Sequence, residues 1–244
     1  MSNLAKMRKI ARLVRSSKQA LLNLIFRLRI GTVRNYWEER HRRLASHLSA
    51  VGHVQLPEEQ NRLDYAFKRE MLTSCLSSCL SDSVAGGRAL DVGCGTGQMF
   101  PVLQRFGFAI TGIDFSVSAI KQARASFPDA RLLVADITSI KFREQFDMIL
   151  IYDVLFHILD HQHWSAALDA LLQHLTPTGT IVIQEHLVQQ GEYIGRKQHV
   201  HHRVRESYDK WAHAGGLRVA YECTYALPGQ KTHKNLFAFK HLDT

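Results

Sequence analysis

The stretch ALDVGCGTGQMF, residues 89–100, places three glycines within five positions directly after a short apolar run. Glycine adopts a positive φ without strain and lets a ligand approach the backbone closely. The residues after the glycines are predicted to begin a helix, whose N-terminus would present unpaired N–H groups to an anionic ligand group. The stretch therefore predicts a strand, a ligand-binding turn and a helix in succession.

Downstream of this stretch, short apolar runs alternate with longer helical patterns. The alternation predicts parallel βαβ units, and near-continuous apolar strands predict a sheet that is covered on both faces. The last two strands, within residues 217–242, have no helix between them and must pair antiparallel. We therefore predict an α/β fold with a doubly wound, mostly parallel sheet and an antiparallel C-terminal hairpin. The earlier predicted strands are 88–93, 109–114, 131–136, 146–154 and 179–187, and the predicted helices are 97–107, 116–127, 161–175 and 206–216.

Positive charge is concentrated at the N-terminus. Residues 1–34 hold nine Lys or Arg and no Asp or Glu, which accounts for the formal net charge of +9. Apolar residues recur there at helical spacing, which predicts a basic amphipathic helix or leader. Three roles fit residues 1–30: packing on a partner or on the protein itself, peripheral contact with an anionic membrane surface, and a mitochondrial presequence. Residues 35–82 predict an N-terminal helical cap, and residues 83–244 predict the α/β domain.

The composition argues against several classes of protein. No stretch approaches the roughly 20 apolar residues of a membrane-spanning helix, because Asn23, Arg27 and Arg29 interrupt or follow the most apolar segment. Four cysteines show neither the density of a disulfide framework nor paired zinc spacing, which favours a reducing, cytoplasmic environment. Beyond the leader the charges balance, so we do not expect a broad surface for duplex nucleic acid.

The spacing of the glycines distinguishes between nucleotide-binding motifs. The dinucleotide fingerprint needs a glycine three positions after its second one, but Gln98 stands there. The Walker motif fails too, because no Gly-Lys-Ser/Thr closes the loop. LDVGCGTG, residues 90–97, instead resembles the first motif of class I S-adenosylmethionine-dependent methyltransferases. Four later segments resemble that family in order: TGIDFSVSAIKQAR (111–124), LLVADIT (132–138), FDMILIYDVLFHI (146–158) and LTPTGTIVIQE (175–185).

The resemblance covers roughly residues 60–240, and it implies a seven-stranded, Rossmann-like sheet with S-adenosylmethionine as cofactor. In the family, the acid at Asp114 accepts both ribose hydroxyls, the acid at Asp136 meets the adenine amino group, and the acid at Asp91 helps to hold the methionine end. Asp114 and Asp153 could instead cap the helices that follow them. The cofactor-binding residues that the resemblance implies are Asp91, Gly93, Cys94, Gly95, Gly97, Asp114, Phe115, Asp136, Ile137 and Asp153.

Catalysis of methyl transfer from a sulfonium depends mainly on alignment, because the leaving group is a neutral thioether. A hydroxyl acceptor also needs a base, and histidine suits that task. Three candidates stand near the carboxyl ends of the fourth and fifth predicted strands: His157, Glu185 and His186. We predict that the base is among them.

The loop GEYIGRKQHVHHRVRESY, residues 191–208, is long, basic and rich in histidine. It follows the fifth strand, where the family often places a substrate lid. Its histidines could hold a metal, but no matching set of acids accompanies them, so we expect no metal site. Its cations hint at an acidic substrate or a phosphate, although surface charge is the default interpretation. The histidines are His199, His201 and His202, and the cations are Arg196, Lys197, Arg203 and Arg205.

The sequence thus predicts a methyltransferase in which the helical cap and the loop 186–205 close over the acceptor. We expect O-methylation of a small molecule, a glycan or a lipid-linked intermediate. Two alternatives remain open: N-methylation of a metabolite or protein, and a non-catalytic scaffold that binds S-adenosylmethionine.

Overall fold

The computed structural model describes residues 33–45, 47–80, 86–195, 200–230 and 233–242. The chain divides into two compact units, Met1–Trp37 and Glu38–Thr244. In the first unit only residues 33–37 are described, so the predicted basic helix over residues 1–34 lies almost entirely outside the described residues. Among the described residues, no helix has the length and apolar character needed to cross a membrane.

The seven predicted strands occur in the predicted order along the second unit, and two short strands lie within the predicted loop 186–205. They are β1 (Arg88–Val92), β2 (Ala109–Asp114), β3 (Arg131–Val134), β4 (Phe146–Tyr152), β5 (Leu175–Glu185), β6 (Tyr193–Ile194), β7 (His201–His202), β8 (Leu217–Ala226) and β9 (His233–His241). Seven of them form one sheet in the order β3-β2-β1-β4-β5-β9-β8. Strands β1 to β5 are parallel, and β9 runs antiparallel between β5 and β8. The predicted α/β fold with its C-terminal hairpin is confirmed.

Of the α-helices described, two precede β1 and four lie between strands. They are α1 over residues 33–43, α2 (Glu58–Cys79), α3 (Phe100–Arg105), α4 (Val117–Ser126), α5 (His161–Leu172) and α6 (Arg205–Ala214). Two of them begin at side-chain caps: Ser116 accepts the Ala119 N–H before α4, and Asp160 accepts the His163 N–H before α5. Such caps satisfy N–H groups that lack a partner within the helix.

Both faces of the sheet are apolar and covered. Successive residues of a strand point to opposite faces, so Met148 and Leu150 of β4 join the core on the α2 and α3 side. Ile149 and Ile151 join the core on the α5 and α6 side. Burial on both faces explains why β4 is a continuous apolar run in the sequence, and it leaves the strand ends as the place for polar groups.

Helix α3 begins later than predicted, at Phe100 instead of residue 97. The Gly97 N–H donates to the Cys94 carbonyl (2.9 Å), and the Phe100 N–H donates to the Gly97 carbonyl (3.1 Å), so the glycines form a turn of their own. Pro101 occupies the first helical turn, where its missing N–H costs no hydrogen bond. The glycine loop therefore stands apart from the helix that follows it.

The predicted helical cap contains α1, a 3₁₀ turn at Leu48–Ala50, and α2. Helix α2 packs against the hairpin strands β8 and β9. Its buried residues recur at helical spacing and include two charged side chains, Asp64 and Lys68. The cap therefore carries charge into the interior of the second unit.

Candidate cofactor and acceptor site

The glycine loop brings the ends of β1 and β4 together. Gly93, Gly95 and Gly97 have φ values of 67°, 54° and 83°, which L-residues rarely adopt. A Cβ atom on Gly93 would lie 2.5 Å from Cγ2 of Val154, which follows β4. Only glycine fits there, so the loop can pass close to the end of the neighbouring strand.

Asp114 ends β2 and points at the glycine loop. It is 7% exposed, and its carboxylate accepts the Gly95 N–H (3.0 Å) and the Ser116 N–H (2.8 Å). Because Ser116 caps α4, Asp114 is not the residue at the cap position. Each carboxylate oxygen has two lone pairs, so Asp114 can still accept two hydroxyl groups. These contacts are compatible with the ribose role that the resemblance implies.

Two buried acids lie beside the loop. Burial raises the pKa of Asp91 to about 8, and the charge of Asp114 adds to that shift. Burial also raises the pKa of Asp114 to about 6, against the lowering effect of the Ser116 and Gly95 N–H groups. A cation bound near both carboxyls would offset this cost. The site therefore fits S-adenosylmethionine, which carries an ammonium and a sulfonium.

The remaining predicted cofactor residues lie around these acids. Asp136 follows β3 and accepts both the backbone N–H and the hydroxyl of Thr138 (2.9 and 2.7 Å). The Ala135 N–H donates to the Asp114 carbonyl (3.0 Å), which keeps the ends of β2 and β3 together. Phe115 and Ile137, the residues after Asp114 and Asp136, are half-buried, and Cys94 is buried within the loop.

The part of the predicted cap that follows Trp37 contacts the same edge of the sheet, and sequence reasoning did not predict this contact. The Glu38 carboxylate of α1 accepts the hydroxyls of Ser116 (2.7 Å) and Ser118 (2.6 Å) at the start of α4. A Cβ on Gly95 would lie 3.0 Å from Cγ1 of Val51. The cap therefore touches both the helix after Asp114 and the glycine loop.

Asp153 follows β4 and joins two lysines from distant elements. It has a φ of 58°, the only positive value at a non-glycine residue among those that the structure describes. Its two carboxylate oxygens accept Lys68 Nζ of α2 and Lys234 Nζ of β9, each at 2.7 Å. We call these three residues the lysine cluster. Backbone strain of this kind persists where surrounding contacts hold it, and it is common at functional sites.

Burial and the mutual charges of the lysine cluster together set the pKa values of its three side chains. Burial opposes ionisation of Asp153, but Lys234 and Lys68 hold its pKa well below the usual range. Burial also disfavours both ammonium groups; Asp153 outweighs it at Lys68, where the pKa is raised, but not at Lys234, where the pKa is lowered. Sequence reasoning missed both lysines. The sequence feature that could have indicated them is a charge on an apolar face. Lys68 lies one turn before buried Leu72 on α2, and Lys234 lies on the same face of β9 as buried Leu236.

The predicted bases lie at the ends of β4 and β5. Glu185 is 1% exposed, and burial raises its pKa to about 8 despite the His186 N–H that it accepts at 3.2 Å. Burial, and secondly the charge of Lys234, lower the pKa of His186 to about 3. Near neutral pH, Glu185 therefore retains its proton and His186 is uncharged.

Phe156 connects the two histidine candidates. Its ring centroid lies 4.4 Å from the ring of His157 and 6.2 Å from the ring of His186. His157 ends a 3₁₀ turn after β4, where its N–H donates to the Val154 carbonyl (2.9 Å). The structure thus brings the three predicted catalytic residues to one edge of the sheet.

The predicted lid is hydrogen-bonded to the segment after β4. Arg203 is buried and donates to the carbonyls of Leu155 (3.2 Å) and Ile158 (2.6 Å), and its guanidinium lies 4.8 Å from the Trp164 ring centroid. His201 Nδ1 lies 2.8 Å from the Leu159 carbonyl oxygen. In this structure, Arg203 therefore holds backbone carbonyls instead of facing an acidic ligand.

A cavity of about 1350 Å³ separates this loop from α6 and β9. Residues of the loop and of β6, β7, α6, β8 and β9 line it, among them His186, His202, Arg205, His233 and Asn235. No group of three His, Cys, Asp or Glu suited to a metal comes together in the described part of the chain. His199, Arg196 and Lys197 lie outside the described residues, so the expectation of no metal stays a prediction.

Comparison with known proteins agrees with this geometry. Residues 89–179 match a protein family described as a methyltransferase domain. The chain is 31% identical over 106 residues to a ubiquinone biosynthesis O-methyltransferase of Rhodopseudomonas palustris, covering 42% of this chain and 41% of that protein. It is 27% identical over 137 residues to a trans-aconitate 2-methyltransferase of Rhizobium leguminosarum, covering 55% and 48%. The chain thus spans about two fifths to one half of the length of these relatives.

A solved structure extends the likeness to most of the chain. The magnesium protoporphyrin IX methyltransferase of Synechocystis, with bound SAH, is 16% identical and has a TM-score of 0.67, covering 86% of this chain and 98% of that one. At this identity the likeness concerns the fold. Residues 89–179 therefore match a methyltransferase domain, and the seven-stranded sheet around them has the fold of class I S-adenosylmethionine-dependent methyltransferases.

Proposed function

We propose that this chain transfers the methyl group of S-adenosylmethionine to an oxygen atom of a small-molecule acceptor. One observation carries the proposal: the buried Asp114 carboxylate is held on the glycine loop by the Gly95 N–H (3.0 Å), next to a second buried acid, Asp91. Support for oxygen as the target atom comes from the relatives described as O-methyltransferases. The cofactor residues predicted from the sequence remain part of this proposal.

The roles of the residues follow from their positions. Asp114 binds the ribose hydroxyls, and Asp91 provides a carboxyl group that ionises when the cationic end of the cofactor lies beside it. Gly93 allows the loop to approach Val154, so the methionine arm can run toward the end of β4. When bound, S-adenosylmethionine supplies an electrophilic methyl group with a neutral leaving group. The protein's main task is then to align the acceptor oxygen with that methyl group.

Deprotonation of a hydroxyl acceptor needs a base that can accept a proton near neutral pH. The lowered pKa of His186 makes it a weak base, and the raised pKa of Glu185 leaves that residue protonated. We therefore favour His157 as the base for a hydroxyl acceptor. Glu185 and His186 then shape the acceptor site at the end of β5.

The N-terminal leader supplies a separate hypothesis. A basic helix over residues 1–34 would hold the protein near an anionic membrane surface or a partner. Deletion of residues 2–30 should then reduce co-sedimentation with liposomes that contain phosphatidylserine. Unchanged co-sedimentation would contradict the membrane role and leave the partner and presequence roles.

The experiment for the main proposal uses S-adenosylmethionine with a labelled methyl group and fractionated cell extract. We expect label in a small molecule, with mass spectrometry locating the added methyl on oxygen. Asp114→Asn should abolish labelling, whereas the exposed Asp129→Asn should not. Binding of the cofactor without any labelled product would favour the scaffold alternative, and methylation on nitrogen would refute the oxygen assignment. Failure to bind the cofactor would refute the whole proposal.

A further inference from the structure

The lysine cluster holds two cations against one anion. The side chains of Lys68 and Lys234 are 8% and 9% exposed, and both donate to the single carboxylate of Asp153. One positive charge is therefore in excess within the buried part of the site. A buried charge without a counter-charge is costly, so a second anion at this position would be favoured.

Neighbouring residues do not remove the excess. Glu185 acts electrostatically on Lys234, but burial raises the pKa of Glu185 to about 8 and keeps it neutral near pH 7. His186 is also neutral, because burial lowers its pKa to about 3. Arg203, which acts on Glu185, is a further cation. Among the described residues, Asp153 is the only carboxylate that pairs with either ammonium, so an anion from outside the chain is the partner that would balance the second charge.

The position of the lysine cluster indicates which molecule would bring the anion. Asp114 ends β2, the glycine loop follows β1, and Asp153 follows β4, so the lysine cluster lies two strands from the ribose acid. At about 4.8 Å per strand, that separation is roughly 10 Å. Lys234 belongs to β9, two strands beyond β4 in the sheet order. The lysine cluster therefore extends away from the ribose end of the cofactor site, toward the predicted bases.

The donors of the two ammonium groups suit a carboxylate. Each ammonium has three N–H groups, of which one meets Asp153. Lys68 Nζ also lies 4.6 Å from the centroid of the Tyr65 ring, and Lys234 Nζ lies 5.9 Å from that of Phe156. Each lysine retains an N–H for another acceptor, and the Asp153 side chain is 23% exposed, which leaves the cluster open at one end. A second two-oxygen anion could then bridge the lysines as Asp153 does.

We infer that Lys68 and Lys234 bind a carboxylate of the methyl acceptor, so that the acceptor is an organic acid. This inference rests on the proposed function for its biological meaning, but the binding site can be tested without turnover. The carboxylate of the cofactor's own methionine moiety is the other source of the same chemistry. The experiment separates these two sources.

The first arm compares benzoate with benzamide, a neutral molecule of nearly the same shape. Each is titrated into full-length protein, with and without saturating S-adenosylhomocysteine. Benzoate should bind the wild type at least about tenfold more tightly, because hydrogen bonds to charged groups are the stronger ones. Lys234→Met and Lys68→Met should reduce the ratio to about threefold or less. Each variant keeps one balanced ion pair and is expected to fold, and Lys240→Met on the same strand is the matched control.

The second arm compares S-adenosylhomocysteine with its decarboxylated counterpart. Equal loss of affinity for the decarboxylated molecule in wild type and Lys234→Met would support the acceptor as the source. A loss confined to the wild type would assign the cofactor's carboxylate to the lysine cluster and overturn the acceptor assignment. No preference for benzoate in the wild type, or the same preference in Lys234→Met, would overturn the site itself. Failure to bind S-adenosylhomocysteine would refute the proposed function alone, since benzoate binding is also measured without it.

Discussion

Replacement of Asp153 by Asn removes the one carboxylate of the lysine cluster and leaves two buried ammonium groups beside each other. Asn is nearly isosteric and, like Asp, tolerates the left-handed conformation at φ 58°, so the change concerns charge more than backbone strain. Lys68 and Lys234 each lie 2.7 Å from the carboxylate and are almost fully buried. Asp153→Asn therefore tests how strongly this charge arrangement contributes to stability.

The expected loss follows from the two contacts. Removal of one partner from a buried ion pair costs about 3–5 kcal/mol, because the other charge stays buried without compensation. Here two charges lose their partner, and the Asn oxygen replaces one hydrogen bond, so we expect about 4 kcal/mol. In a chain of this size each kcal/mol lowers Tm by about 2–4 °C. The predicted decrease is roughly 8–16 °C.

The measurement is thermal unfolding followed by circular dichroism between pH 3 and 8. The pKa of Asp153 is lowered in the folded state, so its contribution is present above the unfolded pKa of about 4 and is lost as the pH falls. The difference between wild type and variant should therefore be full at pH 7 and shrink below about pH 4. The exposed Asp129→Asn controls for loss of a carboxylate, with an expected change within about 0.5 kcal/mol.

A second substitution tests whether the loss of stability comes from the two unpaired ammonium groups. Adding Lys234→Met to Asp153→Asn removes one of the two uncompensated charges and should recover part of the lost Tm, as coupled sites do. If Asp153→Asn instead melts within about 2 °C of Asp129→Asn at pH 7, solvent screens the lysines and the reasoning about excess buried charge is wrong.

Three further predictions concern the cofactor loop and the buried acid of β5. Asp114→Asn should weaken S-adenosylhomocysteine binding by about tenfold or more in calorimetry, because hydrogen bonds to a charged acceptor are lost, whereas the surface Asp→Asn control should bind normally. Gly93→Ala should lower both Tm and cofactor affinity, since its Cβ would lie 2.5 Å from Val154. The control is Gly86→Ala, which has a φ of 88° but open space around it and should lower Tm through backbone strain only. Equal decreases of Tm in the two variants would contradict the steric argument. The pKa of Glu185 is raised in the folded state, so the wild type loses stability as the pH rises from about 4 to 8 and the carboxyl ionises in the unfolded chain. Glu185→Gln has no such loss and should become more stable relative to wild type over that range. Parallel curves of stability against pH for the two proteins would contradict this prediction.

Much of the fold follows from local patterns. Apolar runs separated by helical periodicity predicted β1 to β5 in order, and the absence of a helix between the last two strands predicted their antiparallel pairing, which β8 and β9 confirm. The glycine loop was also recognisable from the local sequence, because positive φ values restrict the residue type at single positions. The later start of α3 and the earlier start of β5 escaped prediction, because both depend on a turn and a pairing between separate segments.

The chemistry of the site depends on contacts between residues far apart in the chain. Glu38 meets Ser116 across 78 positions, and Lys68 and Lys234 meet Asp153 across 85 and 81. No periodic pattern encodes such pairs, because each lysine alone resembles a misplaced surface charge. Protonation is likewise set by tertiary structure, since burial is the largest cause of the raised pKa values of Asp91 and Glu185 and of the lowered value of His186.

The sequence by itself thus determined the order of the strands and helices, the glycine turn and the acids after the strands, because these features depend on side-chain periodicity and on backbone conformation at single residues. The tertiary structure decided which charges are buried together and which of the predicted bases can hold a proton. Those properties arise only when α2, β4 and β9 bring Lys68, Asp153 and Lys234 into contact and exclude water from them.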